Sequence, residues 1–294
     1  MATLYVGGRM FDGEKVVDGQ AVLEEGGRIK KIADRVKTMV VALPFEKAIY
    51  DRAGLDCRYF GHPLVEIARP ESDRRQARDN LGAVEGQRVV ALFPGSRSSE
   101  IKHILPHMLE AAKILAGRFA DLRFYLALAP TVEKSRIERE IAKSGAKVTI
   151  ISGANYDLLS ASDFAIMASG TAALEAALLG VPMIIVYRGT ALNVALAKRL
   201  VKVDFFGLPN LVANRKIVPE LLQAEAEGGK VAELAGELLS DPKRLAEMRE
   251  ELAKVRGILV KTENVSRSVA ALALEMAGAP SSGADFGKSG RLDG

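Results

Sequence analysis

Arg88-Val89-Val90-Ala91-Leu92-Phe93-Pro94-Gly95-Ser96-Arg97 decides how this chain folds. Val89 to Phe93 is an unbroken apolar run, the pattern of a strand buried on both faces of a parallel sheet. Pro94 and Gly95 end it, and a helical pattern follows to about Arg118. The same rhythm then repeats. Strands are expected at Arg123–Ala127, Lys147–Ile151, Asp163–Ala168 and Pro182–Tyr187. Helices are expected at Val132–Ser144, Thr171–Leu179 and Ala191–Val201, and further helices up to about Met276. Strands alternating with helices imply βαβ units with right-handed crossovers. The expected class is therefore α/β, a doubly wound, Rossmann-like parallel sheet.

Outward from that core the pattern weakens. Met39-Val40-Val41-Ala42-Leu43 reads as one more buried parallel strand, and Pro44 as the first turn of a helix. Residues 61–80, with Pro63, Pro70 and the charged run Glu71 to Asp79, read as a linker. Residues 1–32 read as short strands: Thr3–Val6, then a hairpin of Gln20–Leu23 and Arg28–Ile32 around Glu24 to Gly27. Residues 278–294 are rich in Gly, Ser and Asp and are expected to be disordered.

In such a sheet a ligand sits beyond the carboxyl ends of the strands. Two of those loops carry phosphate-friendly chemistry. In Pro94-Gly95-Ser96-Arg97, Gly95 permits close backbone approach, Ser96 offers a hydroxyl or a helix cap, and Arg97 offers a planar fork for phosphate oxygens. The plain alternative is a strand–helix turn with a solvated arginine. In Ala168-Ser169-Gly170-Thr171-Ala172-Ala173-Leu174-Glu175, small residues leave a helix N-terminus open to an anion. Glu175, one turn in, is placed to take the two hydroxyls of a ribose. The plain alternative there is a capping box with Thr171 as the cap. Neither loop is a GxGxxG or a Walker loop, which disfavours NAD enzymes and P-loop NTPases. Asn210, in Leu208-Pro209-Asn210-Leu211, is by itself turn chemistry.

The remaining reactive residues say less. His103 and His107 are four apart, but no glutamate of an HExxH pattern lies between them and no third ligand is near, so no metal is expected. His62, in Gly61-His62-Pro63, reads as a loop histidine. Cys57 is the sole cysteine among 294 residues, which suits a reducing compartment. Lys198, Arg199 and Lys202 end an apolar helix; compensation of the helix dipole is favoured over contact with anionic lipid. Hydrophobic residues make up 48% and charged residues 27%, values of an ordinary globular protein. A net charge of +4 suits anionic small molecules but is too small to argue for nucleic acid. No signal peptide or membrane span is read, so a cytoplasmic protein is expected.

Taken together, Leu43-Pro44-Phe45-Glu46-Lys47, Gly61-His62-Pro63, Leu92 to Arg97, Ala168 to Glu175, Leu196 to Lys202 and Leu208-Pro209-Asn210-Leu211 occur in the order and spacing of the lipid-A-disaccharide synthases. The chain resembles that family from about Gly27 to Gly278. The resemblance implies the C-terminal, donor-binding half of a GT-B glycosyltransferase. It implies inverting transfer of 2,3-diacylglucosamine from UDP-2,3-diacylglucosamine to 2,3-diacylglucosamine 1-phosphate (lipid X), without a cofactor, giving the tetraacyl disaccharide 1-phosphate and UDP. It also implies roles. Gly95, Ser96 and Arg97 with Ser169, Gly170, Thr171 and Ala172 would hold the diphosphate, Glu175 the ribose, and Asn210 the donor side of the cleft.

The family normally has well over a hundred residues before the counterpart of Leu43; here there are 42. The catalytic base and the lipid X site are expected in that missing part. The expected division is a fragment at 1–29, a remnant of the acceptor-side domain at 30–62, the donor-binding domain at 63–278 and a tail at 279–294. The alternative to an enzyme is a module that binds UDP-sugar without turnover. Residues 1–29, with Thr3 to Gly13 and Ala21 to Ile29, instead resemble the opening strands of amidohydrolases and are read as a joined fragment. The HxH pair of that family is absent, which argues against a metal-dependent hydrolase. An uncovered apolar face on a terminal helix from Val265 to Met276 is expected to favour self-association, and the basic helix end leaves contact with the inner membrane's cytoplasmic face open.

Overall fold

A computed structural model describes residues 2–11, 16–25, 28–29, 36–189, 205–262 and 264–277, with side chains from residue 36 onward. The described chain divides into two units, residues 67–259 and, in the other, 1–66 with 260–294.

The larger unit is built on six parallel strands: β6 (Arg88–Phe93), β7 (Leu122–Leu128), β8 (Val148–Ser152), β9 (Phe164–Ala168), β10 (Met183–Tyr187) and β11 (Glu220–Leu222). Their spatial order is β11-β10-β9-β6-β7-β8. The chain starts in the middle at β6, runs outward through β7 and β8, then returns to lay β9 against the other side of β6. Phe93 lies opposite Met167 in that pairing. The sheet therefore reverses direction between β6 and β9, and crevices in doubly wound sheets open at such a reversal. β9 is buried over its whole length and β6 over all but its first residue. This explains their near-continuous apolar sequences, because helices cover both faces.

Those helices follow from local sequence. α4 (Ser98–Arg118) buries Ile101, Ile104, Leu105, Met108, Leu109, Ala112 and Leu115, one stripe at helical spacing. α9 (Gly228–Leu239) packs against it. α5 (Lys134–Ser144) ends at Gly145, which adopts a left-handed conformation. α7 (Thr171–Leu178) buries Ala173, Leu174, Ala176, Ala177 and Leu178. α10 (Pro242–Leu259) packs on α7, and its Met248 lies under the start of β10.

Short helices appear where the sequence reads as linker or loop. α3 (Arg74–Asn80) is capped by Asp73, whose carboxylate accepts the Gln76 amide at 2.9 Å. It buries only Ala77, and its cations hold it in place against α6 (Asn155–Ala161). Arg74 bonds the Ser160 and Ser162 carbonyls, and both Arg74 and Arg78 pair with Asp163. Asp163 also accepts the Val89 amide at 2.8 Å. The charge of residues 71–79 is therefore used to dock a helix rather than to solvate a linker.

In the smaller unit β4 (Thr38–Val40) pairs in parallel with β5 (Asp56–Arg58) around α1 (Pro44–Arg52). The expected strand at Met39–Leu43 is shorter, because Leu43 already serves as N-cap of α1, its amide bonded to Glu46 at 3.0 Å. It is also only half-buried, since among the described residues β5 is its one strand neighbour. α11 (Val265–Met276) belongs to this unit and not with residues 67–259. Glu66, in α2 (Leu64–Ile67), accepts the Val265 amide and the Ser266 hydroxyl at its N-terminus. Its Val265 is buried.

Near the start, β1 (Ala2–Phe11), β2 (Val16–Glu25) and β3 (Arg28–Ile29) form an antiparallel sheet in that order. The hairpin expected around Glu24 to Gly27 is the β2–β3 pair, while β1 and β2 are longer than the sequence suggests. The helix expected at 191–201, with Lys198 and Arg199, lies outside the described residues, as do Lys202 and the tail at 278–294. Among the described residues no helix is long and apolar enough to cross a membrane.

Candidate functional site: a cavity at the strand reversal

Because β6 and β9 are neighbours, the loops that follow them lie side by side. They line one cavity of about 280 Å³. Gly95, Ser96 and Arg97 form one wall; Ser169, Gly170, Thr171, Ala172 and Glu175 form another; Ala127, near the end of β7, and Ala129 and Pro130, just after it, close a third side. Eight of the nine expected donor-binding residues thus meet in one place.

Asn210 does not line this cavity. It is 0% exposed, at the start of α8 (Leu208–Ala213), and its side-chain amide is fully engaged. Nδ2 donates to the Val218 carbonyl at 2.9 Å and to Glu220 Oε1 at 2.6 Å, while Oδ1 accepts the Ile217 and Val218 amides at 2.8 and 3.0 Å. Glu220 in turn accepts the Phe206 and Gly207 amides. Asn210 therefore braces the segment from Phe206 to Glu220. Its influence on the cavity is indirect: Ser169 Oγ donates to the Phe206 carbonyl at 3.0 Å, which ties one wall to the braced segment.

The first wall is closed by its own helix. The N-cap of α4 is Arg97, not Ser96. Glu100, at the third position of the helix, turns back so that Oε2 accepts the Ser96 and Arg97 amides at 3.0 and 3.2 Å. Its Oε1 accepts Arg97 Nη1 at 3.0 Å. A carboxylate suits both the amides and the positive end of the helix. The arrangement requires glycine at 95, where φ is +97° and an added Cβ would run into the Glu100 carboxylate and stand 2.9 Å from its Cβ. Thr131 Oγ1 donates to the Ser96 carbonyl at 2.9 Å and Arg136 to the Ser98 carbonyl at 3.2 Å, fixing the loop from outside. The Arg97 side chain remains 81% exposed and, among the described residues, is the only cation on the cavity lining.

The second wall is open to an anion. The N-cap of α7 is Gly170, in extended conformation, and no side chain caps the helix. The capping box expected at Thr171 is absent because Thr171 is already the first helical residue. Glu175 turns away from the first turn and accepts a long, 3.4 Å bond from Tyr156 Oη. Burial pushes the Glu175 carboxyl above its ordinary value, with the Tyr156 bond opposing. The Tyr156 phenol is raised too, by burial first and then by the Glu175 charge.

Asn155 and Tyr156, at the start of α6, belong to the site although nothing in the sequence singles them out. A second cavity of about 200 Å³, lined by Glu71, Gly153, Tyr156 and Asp157, shares Asn155 and Glu175 with the first. Asn155 Oδ1 is buried with no hydrogen-bond partner among the described residues. His103 and His107 lie on α4 and line neither cavity.

A bare helix N-terminus and an arginine, with a half-buried carboxylate about one turn further in, match a diphosphate followed by a vicinal diol. These loops sit at the reversal of a doubly wound, Rossmann-like sheet. Its class is the C-terminal half of a GT-B fold. The structure resembles a putative UDP-N-acetylglucosamine 2-epimerase from Listeria monocytogenes, with a TM-score of 0.58 at 12% identity over 84% of this chain and 61% of that one. It also resembles WaaG, a glycosyltransferase involved in lipopolysaccharide biosynthesis, with a TM-score of 0.50 at 15% identity over 82% of this chain and 62% of that one.

Residues 25–275 match the family model described as lipid-A-disaccharide synthetase. The lipid-A-disaccharide synthase of Geobacter sulfurreducens is 41% identical over 252 residues, 86% of this chain. The chain belongs to the lipid-A-disaccharide synthase family. It spans 65% of the length of that relative. Residues 1–24 lie outside the family match.

Proposed function

We propose that residues 67–259 bind UDP-2,3-diacylglucosamine, and that the chain serves the family's reaction: inverting transfer of 2,3-diacylglucosamine to 2,3-diacylglucosamine 1-phosphate, releasing UDP. The single observation that carries the reading is the convergence of the Gly95–Arg97 and Ser169–Glu175 loops on one cavity at the strand reversal. The diphosphate would lie against the first turn of α7, where the peptide dipoles and Arg97 stabilise the negative charge that grows on it as the glycosidic bond breaks. No metal is needed for that step in this reading. Glu175 would accept the ribose hydroxyls. The acceptor, its base and any contact with the cytoplasmic face of the inner membrane are assigned to the part of the family fold that this chain does not span.

Isothermal calorimetry with UDP tests the binding. Micromolar affinity, weakened at least tenfold by Arg97→Ala and by Glu175→Ala, is expected; no UDP affinity in the unmodified chain would sink the reading. A turnover assay with both lipid substrates separates an enzyme from a module that only binds. A disaccharide product from the purified chain supports the first, and UDP binding without product the second.

A further inference from the structure

Arg97, the only cation on the cavity wall among the described residues, already has an anion. Glu100 holds the guanidinium of Arg97 through one carboxylate oxygen and the amides of Ser96 and Arg97 through the other. These are the groups a diphosphate would use on that wall. Glu100 itself lines the cavity and is only 19% exposed, whereas Arg97 is 81% exposed. One partner is thus fixed and the other can swing. Gly95 is shaped around this carboxylate, so the contact is built into the loop rather than made by a passing side chain.

We propose that Glu100 is a positioning residue that acts as a resident counter-anion of the diphosphate subsite. It holds the 95–97 loop in its working shape in the free protein and yields the Arg97 guanidinium to the incoming nucleotide, keeping the backbone amides for itself. Two consequences follow. The phosphate groups meet Arg97 and the α7 N-terminus but not the Ser96 and Arg97 amides. Glu100 also lowers affinity for the diphosphate, because Arg97 must break one ion pair to make another and because a fixed carboxylate repels phosphate. A site that released its product UDP too slowly would gain from such a brake. The inference rests on the nucleotide reading above and names the residue that tunes it.

Glu100→Gln separates the two functions. The glutamine oxygen still accepts both amides, so the loop keeps its shape, but its NH₂ faces the guanidinium and releases it. UDP affinity is expected to rise about two- to fivefold, the range in which loss of an exposed ion pair falls. Uridine, which lacks the diphosphate, is expected to bind unchanged, a split that a merely structural role would not produce. In an Arg97→Ala background the same change is expected to give at most half of that gain on a logarithmic scale, since only the repulsion remains. Calorimetry on the full chain with UDP and uridine reads all of these. Unchanged or weaker UDP binding by Glu100→Gln, with uridine affinity and melting temperature intact, overturns the inference alone. An equal gain for uridine, or an undiminished gain without Arg97, also overturns it. Absence of UDP binding by the unmodified chain overturns the nucleotide reading together with it.

Discussion

Replacing Gly95 by alanine tests the geometry of the first wall through stability alone. Two costs combine. At φ +97° a Cβ meets the following carbonyl, which costs about 1–2 kcal/mol in left-handed backbone. The new methyl also displaces the Glu100 carboxylate, and losing a helix cap of this kind costs about 1 kcal/mol. The sum is roughly 2–3 kcal/mol, which corresponds to a drop of roughly 5–10 °C in the melting temperature of a unit this size. Gly86→Ala supplies the internal control. Its φ is +80°, but a Cβ there meets nothing within 4 Å. It carries the backbone cost alone, and a drop of roughly 2–6 °C is expected. Scanning calorimetry of the two variants beside the unmodified chain gives the comparison. If Gly95→Ala melts no lower than Gly86→Ala, the clash with Glu100 and the loop shape derived from it are refuted.

Three other predictions stand on separate observations. Asn210→Ala leaves the buried Ile217 and Val218 amides without their acceptor. A loss of about 2–4 kcal/mol in urea unfolding is expected, with UDP affinity of the folded protein within twofold; a tenfold loss of affinity at unchanged stability would return Asn210 to the binding site. Glu175 is raised by burial, so its carboxylate form is lost already above the ordinary carboxyl range as the pH falls. UDP affinity should therefore begin to decline at higher pH, on acidification, in the unmodified chain than in Glu175→Gln, and parallel curves in calorimetry would contradict a ribose contact. At the base of β6, the Arg88 bond holds the Asp121 carboxyl below its usual range. A depressed carboxyl contributes stability above its unfolded pKa of about 4 and loses it as the pH falls through the lower folded value. Asp121→Asn should accordingly destabilise the protein at pH 7, and the gap to the unmodified chain should shrink as the pH falls below the ordinary carboxyl range, read by denaturant titration at each pH; a constant gap would refute the linkage.

How much of this was legible in the sequence varies with the kind of signal. Strands buried on both faces announce themselves, and β6, β7, β9 and β10 lie within about two residues of their expected ends, as does the half-exposed edge strand β8. β11 was not legible, because three half-buried residues, Glu220–Leu222, carry no periodicity. α3 was hidden by its charge: a helix that buries one alanine and docks through arginines looks like a solvated linker. The two loops of the site were legible as phosphate chemistry, but their partners were not. Glu100 escapes a search for capping boxes because the cap is arginine rather than serine or threonine. Asn155 and Tyr156 reach the site through α6, a helix of seven residues that no apolar stripe foretells. Asn210 was legible only as turn chemistry; its brace depends on Ile217, Val218 and Glu220, further along the chain, which no local pattern links to it.

A crystal structure of the chain with UDP tests the central claim most directly. The account predicts the diphosphate between Arg97 and the first-turn amides of α7, with the ribose hydroxyls on Glu175. A UDP molecule bound away from the β6–β9 reversal, or one whose phosphates touch neither Arg97 nor the residues from Gly170 to Ala172, would contradict it.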